Sequence, residues 1–227
     1  DTTIAGLGDG ETPIFPIQIF KVKEGVNYNP GDKNYDLFQK AILCSAKRLF
    51  PNFSFLDAPF NFKYYKENDY NSEVAYMGCR TRVMANNYDP TKEVTCGRGN
   101  LSFTSINLPR LGILYPNKDE FFKHLDEMCD LVIKQLLDRF EVQRHKKVKN
   151  MPFLMGQHVW IDSDKLGWDD EIDEVIRNGT LTIGFIGLAE CLIALTGKHH
   201  GESEESQKLG LEIVGFMRKK MDEASEK

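Results

Sequence analysis

One cysteine of this chain is set apart from the other four by its neighbours. Residues 76–82 read YMGCRTR, so that Cys79 follows a glycine and precedes two nearby arginines. Gly78 lets the backbone approach another group closely, and the charge of Arg80 and Arg82 favours a reactive thiol. Cys79 is therefore the candidate for thiol chemistry. The alternative is a loop cysteine packed against the apolar residues that precede it.

The remaining cysteines indicate structure rather than chemistry. Cys44, Cys129 and Cys191 fall in apolar helical patterns and are expected to behave as small buried hydrophobes. Cys96 adjoins a glycine corner and could be exposed, but nothing near it in the sequence would activate its thiol. Five widely spaced cysteines without a C-x-x-C pair predict neither a disulfide framework nor a zinc site.

No histidine is placed to serve as a base for Cys79. The nearest approach to a metal site is His199, His200 and Glu202, which lack a third well-spaced ligand and are better interpreted as exposed loop residues. Thiolate catalysis would need a base held beside the sulfur. The sequence therefore gives no support for thiolate chemistry, and we expect no metal site.

Composition limits the class of protein. The chain has 227 residues, 41% of them hydrophobic and 28% charged, which is typical of a globular domain with its own core. Its formal net charge of -5 gives no general basic field for nucleic acid. It contains neither an apolar run of membrane-spanning length nor a signal-peptide pattern. We expect a cytoplasmic protein that binds neither nucleic acid nor membrane.

The elements predicted in the first part of the chain are a strand and a helix. Residues 14–22 are rich in Ile, Phe and Val and predict a strand. Helical spacing then runs from Asn34, a capping residue, to about Phe50, and Pro51 would end the helix. Residues 51–76 are rich in aromatic side chains without a sustained period, which predicts a long ordered connection.

The later part of the chain alternates strands with helices. Predicted strands cover residues 101–108 and 180–186, and a short one lies within residues 151–161. Predicted helices cover about 30 residues from Asn117, residues 169–177, the stretch from Gly187 to Gly197, and residues 203–224. Pro109 is expected to close the first of these strands. Strands that alternate with helices of this length predict an α/β fold with mainly parallel pairing.

Several separate motifs, in the same order along the chain, closely resemble the anaerobic (class III) ribonucleoside-triphosphate reductases. They are IFPIQIFKVKEGVNYNPGDKNYDLFQKA, YMGCRTRV, GRGNLSFTSINLPRLGI and GTLTIGFIGLAE. The resemblance covers nearly the whole chain and implies a glycyl-radical enzyme. The implied fold is part of a ten-stranded α/β barrel, with residues 1–227 as a single central fragment of the catalytic barrel domain.

The resemblance also implies roles for individual residues. Cys79 would be the thiyl residue that removes the 3′ hydrogen of a ribonucleotide, a step that needs a weak S–H bond shielded from water rather than a neighbouring base. Asn100 matches an asparagine that faces the substrate ribose, and Met77 matches a methionine of the branch that uses formate. Gly184 and Gly187 could let the backbone contact the substrate. Structural alternatives are a turn asparagine, a core methionine and glycines required only for packing.

The implied reaction makes deoxyribonucleotides for DNA replication, with loss of the 2′ hydroxyl as water and oxidation of formate to carbon dioxide. The implied partners are a ribonucleoside triphosphate, a radical-SAM activating enzyme and a second copy in a homodimer. The glycyl-radical motif, the zinc site, the ATP cone for ATP and dNTP effectors, and the first barrel strands do not occur among these residues. We therefore expect the isolated chain to be inactive and prone to association.

Two other functions remain open from the sequence. One is a glycyl-radical enzyme of the formate acetyltransferase type, although such enzymes tend to carry adjacent cysteines where Cys79 stands between Gly78 and Arg80. The other is a non-catalytic scaffold that keeps the barrel segment. A downstream glycyl-radical motif would favour the reductase, and a natural stop at Lys227 would favour the scaffold.

Overall fold

The computed structural model describes residues 1–8, 10–78 and 81–226, and the chain divides into two compact units, Asp1–Cys96 and Gly97–Lys227. Within each unit, the described strands form one parallel pair. The predicted combination of helices and strands with parallel pairing is therefore confirmed. Membership of both units in one barrel domain stays a prediction.

Among its described residues, the first unit contains three short or medium helices and two strands. They are α1 (Thr2–Ala5), β1 (Ile19–Val22), α2 (Tyr35–Arg48), β2 (Asn52–Phe55) and α3 (Pro59–Phe62), with 3₁₀ turns at Tyr70–Ser72 and Pro90–Lys92. Strands β1 and β2 pair in parallel, with Ile19 opposite Asn52, and α2 lies in the connection between them. Parallel strands need such a crossover because the end of the first strand and the start of the second lie at opposite ends of the sheet.

Three predictions for this unit are corrected in detail. The strand predicted over residues 14–22 is limited to its last four residues, because Pro16 cannot donate to a strand ladder. Helix α2 ends before Pro51, where Leu49 adopts a left-handed conformation (φ 58°) and its N–H donates to Ser45 O at 2.7 Å. Strand β2 lies in the segment predicted as a connection.

The burial pattern of β2 explains why its sequence did not predict a strand. Its buried position is Ser54, at 2% exposure, whereas the neighbouring Phe55 is 48% exposed. The Ser54 hydroxyl shares a hydrogen bond with the Tyr76 hydroxyl across 2.7 Å, which satisfies a polar group inside the unit. The alternation of hydrophobic and polar residues is thus reversed relative to the usual pattern.

The second unit contains two strands and five helices among the described residues. They are β3 (Asn100–Asn107), α4 (Leu108–Leu114), α5 (Lys118–Arg144), α6 (Asp173–Ile176), β4 (Thr180–Ile186), α7 (Leu188–Thr196) and α8 (Glu204–Ser225), with 3₁₀ turns at Val148–Asn150 and Ser163–Lys165. The predicted strand over residues 180–186 and the helices that follow it are confirmed. Gly197 ends α7 in a left-handed conformation (φ 83°), and Ser203 caps α8 by accepting from Ser206 N.

Other predictions for this unit are wrong. Pro109 does not close β3 but stands in the first turn of α4, where a missing N–H costs nothing, and Asn107 caps that helix by accepting from Arg110 N at 3.1 Å. Residues 151–161 form turns and lack the short strand predicted within them; Met155 and Trp160 enter a core, whereas Phe153 is 67% exposed. The helix predicted over residues 169–177 is limited to α6.

Helix α5 begins as its sequence predicts. The Asn117 side chain accepts from the backbone N–H of Asp119 at 2.9 Å and of Glu120 at 3.2 Å. Its buried side is a stripe at helical spacing, which comprises Phe121, Leu125, Cys129, Val132 and Leu136. Met128 is half-buried at the border of this stripe. No helix in the described residues has the length and apolar character to cross a membrane.

The side chains of α5 also bind the backbone of β3. Arg139 Nη1 donates to Phe103 O at 3.1 Å, and Gln143 Nε2 donates to Leu101 O at 3.1 Å. The buried stripe of α5 packs with Ile106 of β3 and with residues of α4, α7 and α8 in one hydrophobic cluster. Helix α5 therefore holds β3 through both apolar packing and polar contacts.

A second, smaller cluster lies around α6. It consists of Val148, Met155, Trp160, Ile172, Val175 and Ile176. The Trp160 indole N–H donates to Val175 O at 2.7 Å, so its polar atom is satisfied within the core. At the end of α5, Arg144 Nη2 donates to Asp173 Oδ2 at 2.6 Å, which ties α5 to α6.

A prediction about stability follows from the burial of α5. Leu125 is fully buried, at 0% exposure, so Leu125→Ala should lower the free energy of unfolding of the second unit by about 3 kcal/mol through a cavity. Leu137→Ala on the same helix is the matched control, because Leu137 is 55% exposed and should cost less than about 0.5 kcal/mol. Both tryptophans, Trp160 and Trp168, lie in this unit, so urea unfolding followed by their fluorescence reports on it. Equal costs for the two variants would contradict the packing.

A second prediction concerns pH. His145 Nε2 lies 3.1 Å from Glu141 Oε1 and Nδ1 lies 3.2 Å from Glu171 Oε2, and these two carboxylates raise the pKa of His145. Because the pKa of His145 is raised in the folded state, its charged imidazole stabilises the fold fully when the pH is below the ordinary histidine pKa of about 6.5. This contribution is lost as the pH rises through the pKa of the folded state.

His145→Gln should therefore lower the melting temperature at about pH 6 and leave it unchanged at about pH 9. The measurement is thermal unfolding followed by tryptophan fluorescence across this range. His200→Gln, at an exposed histidine between α7 and α8, is the control for the general effect of losing a histidine. A destabilisation by His145→Gln that is the same at both pH values would contradict the ion-pair explanation.

Candidate functional site

The thiol predicted to carry the radical lies outside the described residues. The structure describes the chain up to Gly78 and again from Thr81, and therefore omits Cys79 and Arg80. The role of Cys79 stays a prediction. The described residues on either side show how the fold holds this part of the chain.

The residues before and after Cys79 are anchored within the first unit. Tyr76 shares its hydroxyl hydrogen bond with Ser54 of β2. Met77 N donates to Thr81 O at 2.9 Å, and Thr81 N donates to Met77 O at 3.0 Å, so these two residues pair as in a narrow antiparallel bridge. Gly78 has φ +53°, a conformation that favours glycine. The backbone conformation at this position therefore explains why residue 78 is a glycine.

Arg82 anchors the other side of the segment. Its Nη1 donates to Phe60 O at 2.9 Å and to Asn61 Oδ1, and its guanidinium lies 5.0 Å from the centre of the Phe60 ring. These contacts fix Arg82 on α3 through hydrogen bonds and a cation–π contact. Arg82, one of the two arginines predicted to activate the thiol, thus uses its guanidinium for contacts with α3.

Met77, predicted to border the site, is half-buried in the first unit. Its backbone makes the bridge to Thr81. Further along the chain, Val83 and Met84 are buried, at 7% and 4% exposure. The segment therefore runs from a half-buried pair into the core of the unit. Whether the Met77 thioether contacts formate stays a prediction.

The second unit has an open face on its strand pair. One face of β3 and β4 carries Ile106, Leu181 and Ile183, which pack into the hydrophobic cluster against the helices. Side chains at alternate positions point to the other face. There Phe103 is 68% exposed and Ile186 is 56% exposed. We call this other face the open face of the β3–β4 pair.

Asn100, predicted to face a ribose, lies at the start of β3, next to this open face. It is exposed and stands opposite Thr180 in the parallel register. Its Oδ1 accepts hydrogen bonds from Thr180 Oγ1 and, at 3.2 Å, from Thr182 Oγ1. The alternative of a turn asparagine bonded to its own backbone does not hold, because these bonds cross to the neighbouring strand.

Thr180 and Thr182 were not singled out from the sequence. Their alternate spacing in TLTIG is a signal of one polar side on a buried-looking strand, and this signal could have identified them. Their connection to Asn100 could not be inferred, because it depends on the register between strands 80 residues apart in sequence. The register also places Ser105 beside Gly184.

Packing accounts for the two glycines predicted to approach a substrate. A Cβ on Gly184 would lie 2.9 Å from Ser105 Oγ, which is tighter than normal contact. A Cβ on Gly187 would lie 2.3 Å from Pro109 Cγ, and Gly187 also has φ +72° where it precedes α7. Gly187 therefore requires glycine, whereas a side chain at Gly184 would require the Ser105 hydroxyl to move. A backbone contact with substrate at either residue remains a prediction.

The other cysteines behave as the sequence predicts. Cys44, Cys129 and Cys191 are buried, and burial raises the pKa of both Cys129 and Cys191 to about 11, so that these thiols stay protonated at neutral pH. Cys96 is exposed, with its Sγ 3.5 Å from Asn71 Oδ1. Within the described ranges, no three His, Cys, Asp or Glu side chains are grouped so that they could hold a metal ion.

The structure thus places the predicted site residues in two groups. Asn100, Gly184 and Gly187 lie on β3, β4 and the start of α7 in the second unit. Met77 lies in the first unit, beside the segment that contains Cys79. The chemistry available around the group in the second unit is hydrogen bonding by the Asn100 amide and by threonine and serine hydroxyls. Such groups suit a polar, hydroxyl-rich ligand.

Comparison with known proteins connects these residues to one family. The family model described as anaerobic ribonucleoside-triphosphate reductase matches residues 1–227. Relatives of that name are 32% identical to this chain in Haemophilus influenzae, over 93% of this chain and 29% of the relative, and 32% identical in Escherichia coli, over 98% and 31%. The relative from Enterobacteria phage T4 is 33% identical over 87% of this chain and 33% of its own length.

The chain spans about a third of the length of the curated relatives that it matches. The resemblance stated from sequence motifs is confirmed, because the match extends across all four motifs. A match of the family model to every residue, together with this identity to several named relatives, shows that the chain belongs to the anaerobic ribonucleoside-triphosphate reductase family.

Proposed function

We propose that the intact gene product that carries this chain reduces ribonucleoside triphosphates to deoxyribonucleoside triphosphates, and that these residues form part of its catalytic barrel. The observation that carries this proposal is the family match over residues 1–227. The two parallel strand pairs with helical crossovers support a place in a ten-stranded α/β barrel, since such pairs are its repeating elements.

In this proposal, Cys79 forms the thiyl radical and removes the 3′ hydrogen atom of the substrate ribose. The S–H bond that forms is weak enough for the hydrogen atom to return at the end of the cycle. The 2′ hydroxyl leaves as water. The overall reaction is a ribonucleotide plus formate plus a proton, which gives a deoxyribonucleotide, carbon dioxide and water, so the two electrons come from formate.

The described residues would position this chemistry rather than perform it. The hydrogen bonds of Tyr76 and Arg82 hold described residues that precede and follow Cys79 in the chain. Placement of this kind raises rates because the reacting atoms are held near each other before the reaction begins. Asn100, on the open face of the β3–β4 pair, would bind a ribose hydroxyl.

The remaining requirements of the reaction belong to other parts of the intact gene product. We propose that the glycyl radical, the zinc site and the ATP and dNTP effector sites lie there. We also propose that a radical-SAM enzyme activates the protein, that the protein forms a homodimer, and that it works in the cytoplasm. The family match favours this reductase over a formate acetyltransferase type of enzyme.

The first test of this function concerns the thiol. In the activated intact gene product under anaerobic conditions, Cys79→Ser should abolish dNTP formation, because an O–H bond is too strong to take part in the reversible hydrogen exchange with the sugar. The measurement is chromatographic quantification of dNTP. Cys96→Ser is the matched control, since Cys96 is an exposed cysteine, and it should retain activity within about twofold. Activity in Cys79→Ser would contradict the proposed role.

The second test concerns the reductant. The intact gene product supplied with isotopically labelled formate should release carbon dioxide and form dNTP in a ratio of about one, as the electron balance requires. Met77→Leu keeps the volume of the side chain but removes its polarizable thioether. It should lower formate-dependent turnover more than it weakens nucleotide binding. Formation of dNTP that does not depend on formate would show that the reductant is a different one.

A further inference from the structure

We propose that Thr180 and Thr182 are positioning residues that fix the orientation of the Asn100 amide, so that Asn100 offers only N–H donors at the open face of the β3–β4 pair. The group recognised there is then an oxygen that accepts hydrogen bonds, such as a sugar hydroxyl oxygen of the substrate. This inference rests on the proposed function and adds the polarity of the contact and the residues that determine it.

The argument begins with the hydrogen-bonding capacity of an asparagine side chain. Its carbonyl oxygen has two lone pairs, and its NH₂ group has two donors. At Asn100 the oxygen accepts from both Thr180 Oγ1 and Thr182 Oγ1. Both lone pairs of Oδ1 therefore have donors. Within the described part of the chain, the hydrogen bonds of this side chain all use Oδ1, which leaves Nδ2 for a ligand.

The strand geometry explains why both threonines reach the same atom. Residues two apart in a strand project to the same side, so the hydroxyls of Thr180 and Thr182 lie on one face of β4. The register places Thr180 directly opposite Asn100, and an irregularity between Asn100 and Ser102 locally shifts the pairing there. Threonine is β-branched, so its χ1 angle is restricted and its hydroxyl is held in place before a ligand arrives.

The two threonines also decide between two orientations of the amide. Without them, the amide of Asn100 could turn through 180° and present its oxygen where its NH₂ group stood. A ligand that needs a donor would then bind only the fraction of molecules with the correct orientation. The threonines favour the observed orientation, because in the reverse one their hydroxyl oxygens would accept from Nδ2 and both hydroxyl hydrogens would lose Oδ1 as their acceptor.

The environment of Asn100 agrees with a ligand contact rather than a purely structural bond. Asn100 is exposed, and on the same face Phe103 and Ile186 are largely uncovered by the residues that the structure describes. Asn61 is a contrasting case, because it is buried at 3% exposure and donates to Phe55 O at 2.7 Å. The Asn100 amide is instead exposed, and its described hydrogen bonds use only its oxygen.

The experiment uses the activated intact gene product and compares steady-state kinetics of Thr180→Val, Thr182→Val and the double variant with those of the wild type. Valine keeps the β-branched shape and removes only the hydroxyl. Each single variant should lower kcat/KM by about 3- to 10-fold, the range for one neutral hydrogen bond, and the double variant by about 10- to 50-fold. Thr182→Ser, which retains a hydroxyl, should stay within about threefold of the wild type.

A matched control separates positioning from strand stability. Thr104 lies on β3, and its hydroxyl donates to Gln135 Oε1 at 2.9 Å rather than to Asn100. Thr104→Val should leave kcat/KM within about twofold. Thermal unfolding of all the variants should show melting temperatures close to that of the wild type. Asn100→Asp, which replaces the donors by an acceptor, should reduce kcat/KM at least as much as the double valine variant.

The outcomes distinguish this inference from the function on which it rests. If the wild type forms no dNTP, the proposed function fails. If the wild type is active and the double valine variant stays within about twofold of it, the positioning role is overturned. The role is also overturned if Asn100→Asp is as active as the wild type, or if Thr182→Ser loses as much activity as Thr182→Val. Loss in the valine variants with rescue by serine supports it.

Discussion

The parallel register of β3 and β4 is the constraint on which the second unit depends. Parallel pairing requires a crossover connection between the strands, and α5 is the longest helix in that connection. This helix covers one face of the strand pair. The same register then decides which side chains meet. It sends Ile106, Leu181 and Ile183 into the core and places Thr182 beside the exposed Phe103 on the opposite face. Packing and the candidate site are two results of one pairing.

Sequence periodicity predicted the elements whose side chains follow the usual burial rules. Strand β4 and helices α5, α7 and α8 were predicted because their caps and apolar spacing agree with their final packing. Strand β2 was missed because its buried residue is Ser54 and not an aromatic one. Helix α4 was missed because proline can end a strand or begin a helix, and Pro109 does the second.

The candidate site divides in the same way between local and non-local information. Asn100 was predicted from a motif, and the four cysteines in the described part were sorted by their neighbours in sequence. The link of Thr180 and Thr182 to Asn100 became visible only through the register between strands that are far apart along the chain. Likewise, the use of Arg82 as an anchor on α3 depends on a fold that places Phe60 next to it. Long-range pairing is the part that local patterns do not encode.

The hydrogen bonds from α5 to the backbone of β3 have a consequence for the behaviour of the protein during synthesis. Backbone carbonyls at the margin of a sheet are places where a second molecule can add a strand and start aggregation. Arg139 and Gln143 occupy the carbonyls of Phe103 and Leu101. Because these side chains belong to the helix that follows β3 in the chain, this protection can form before β4 has left the ribosome.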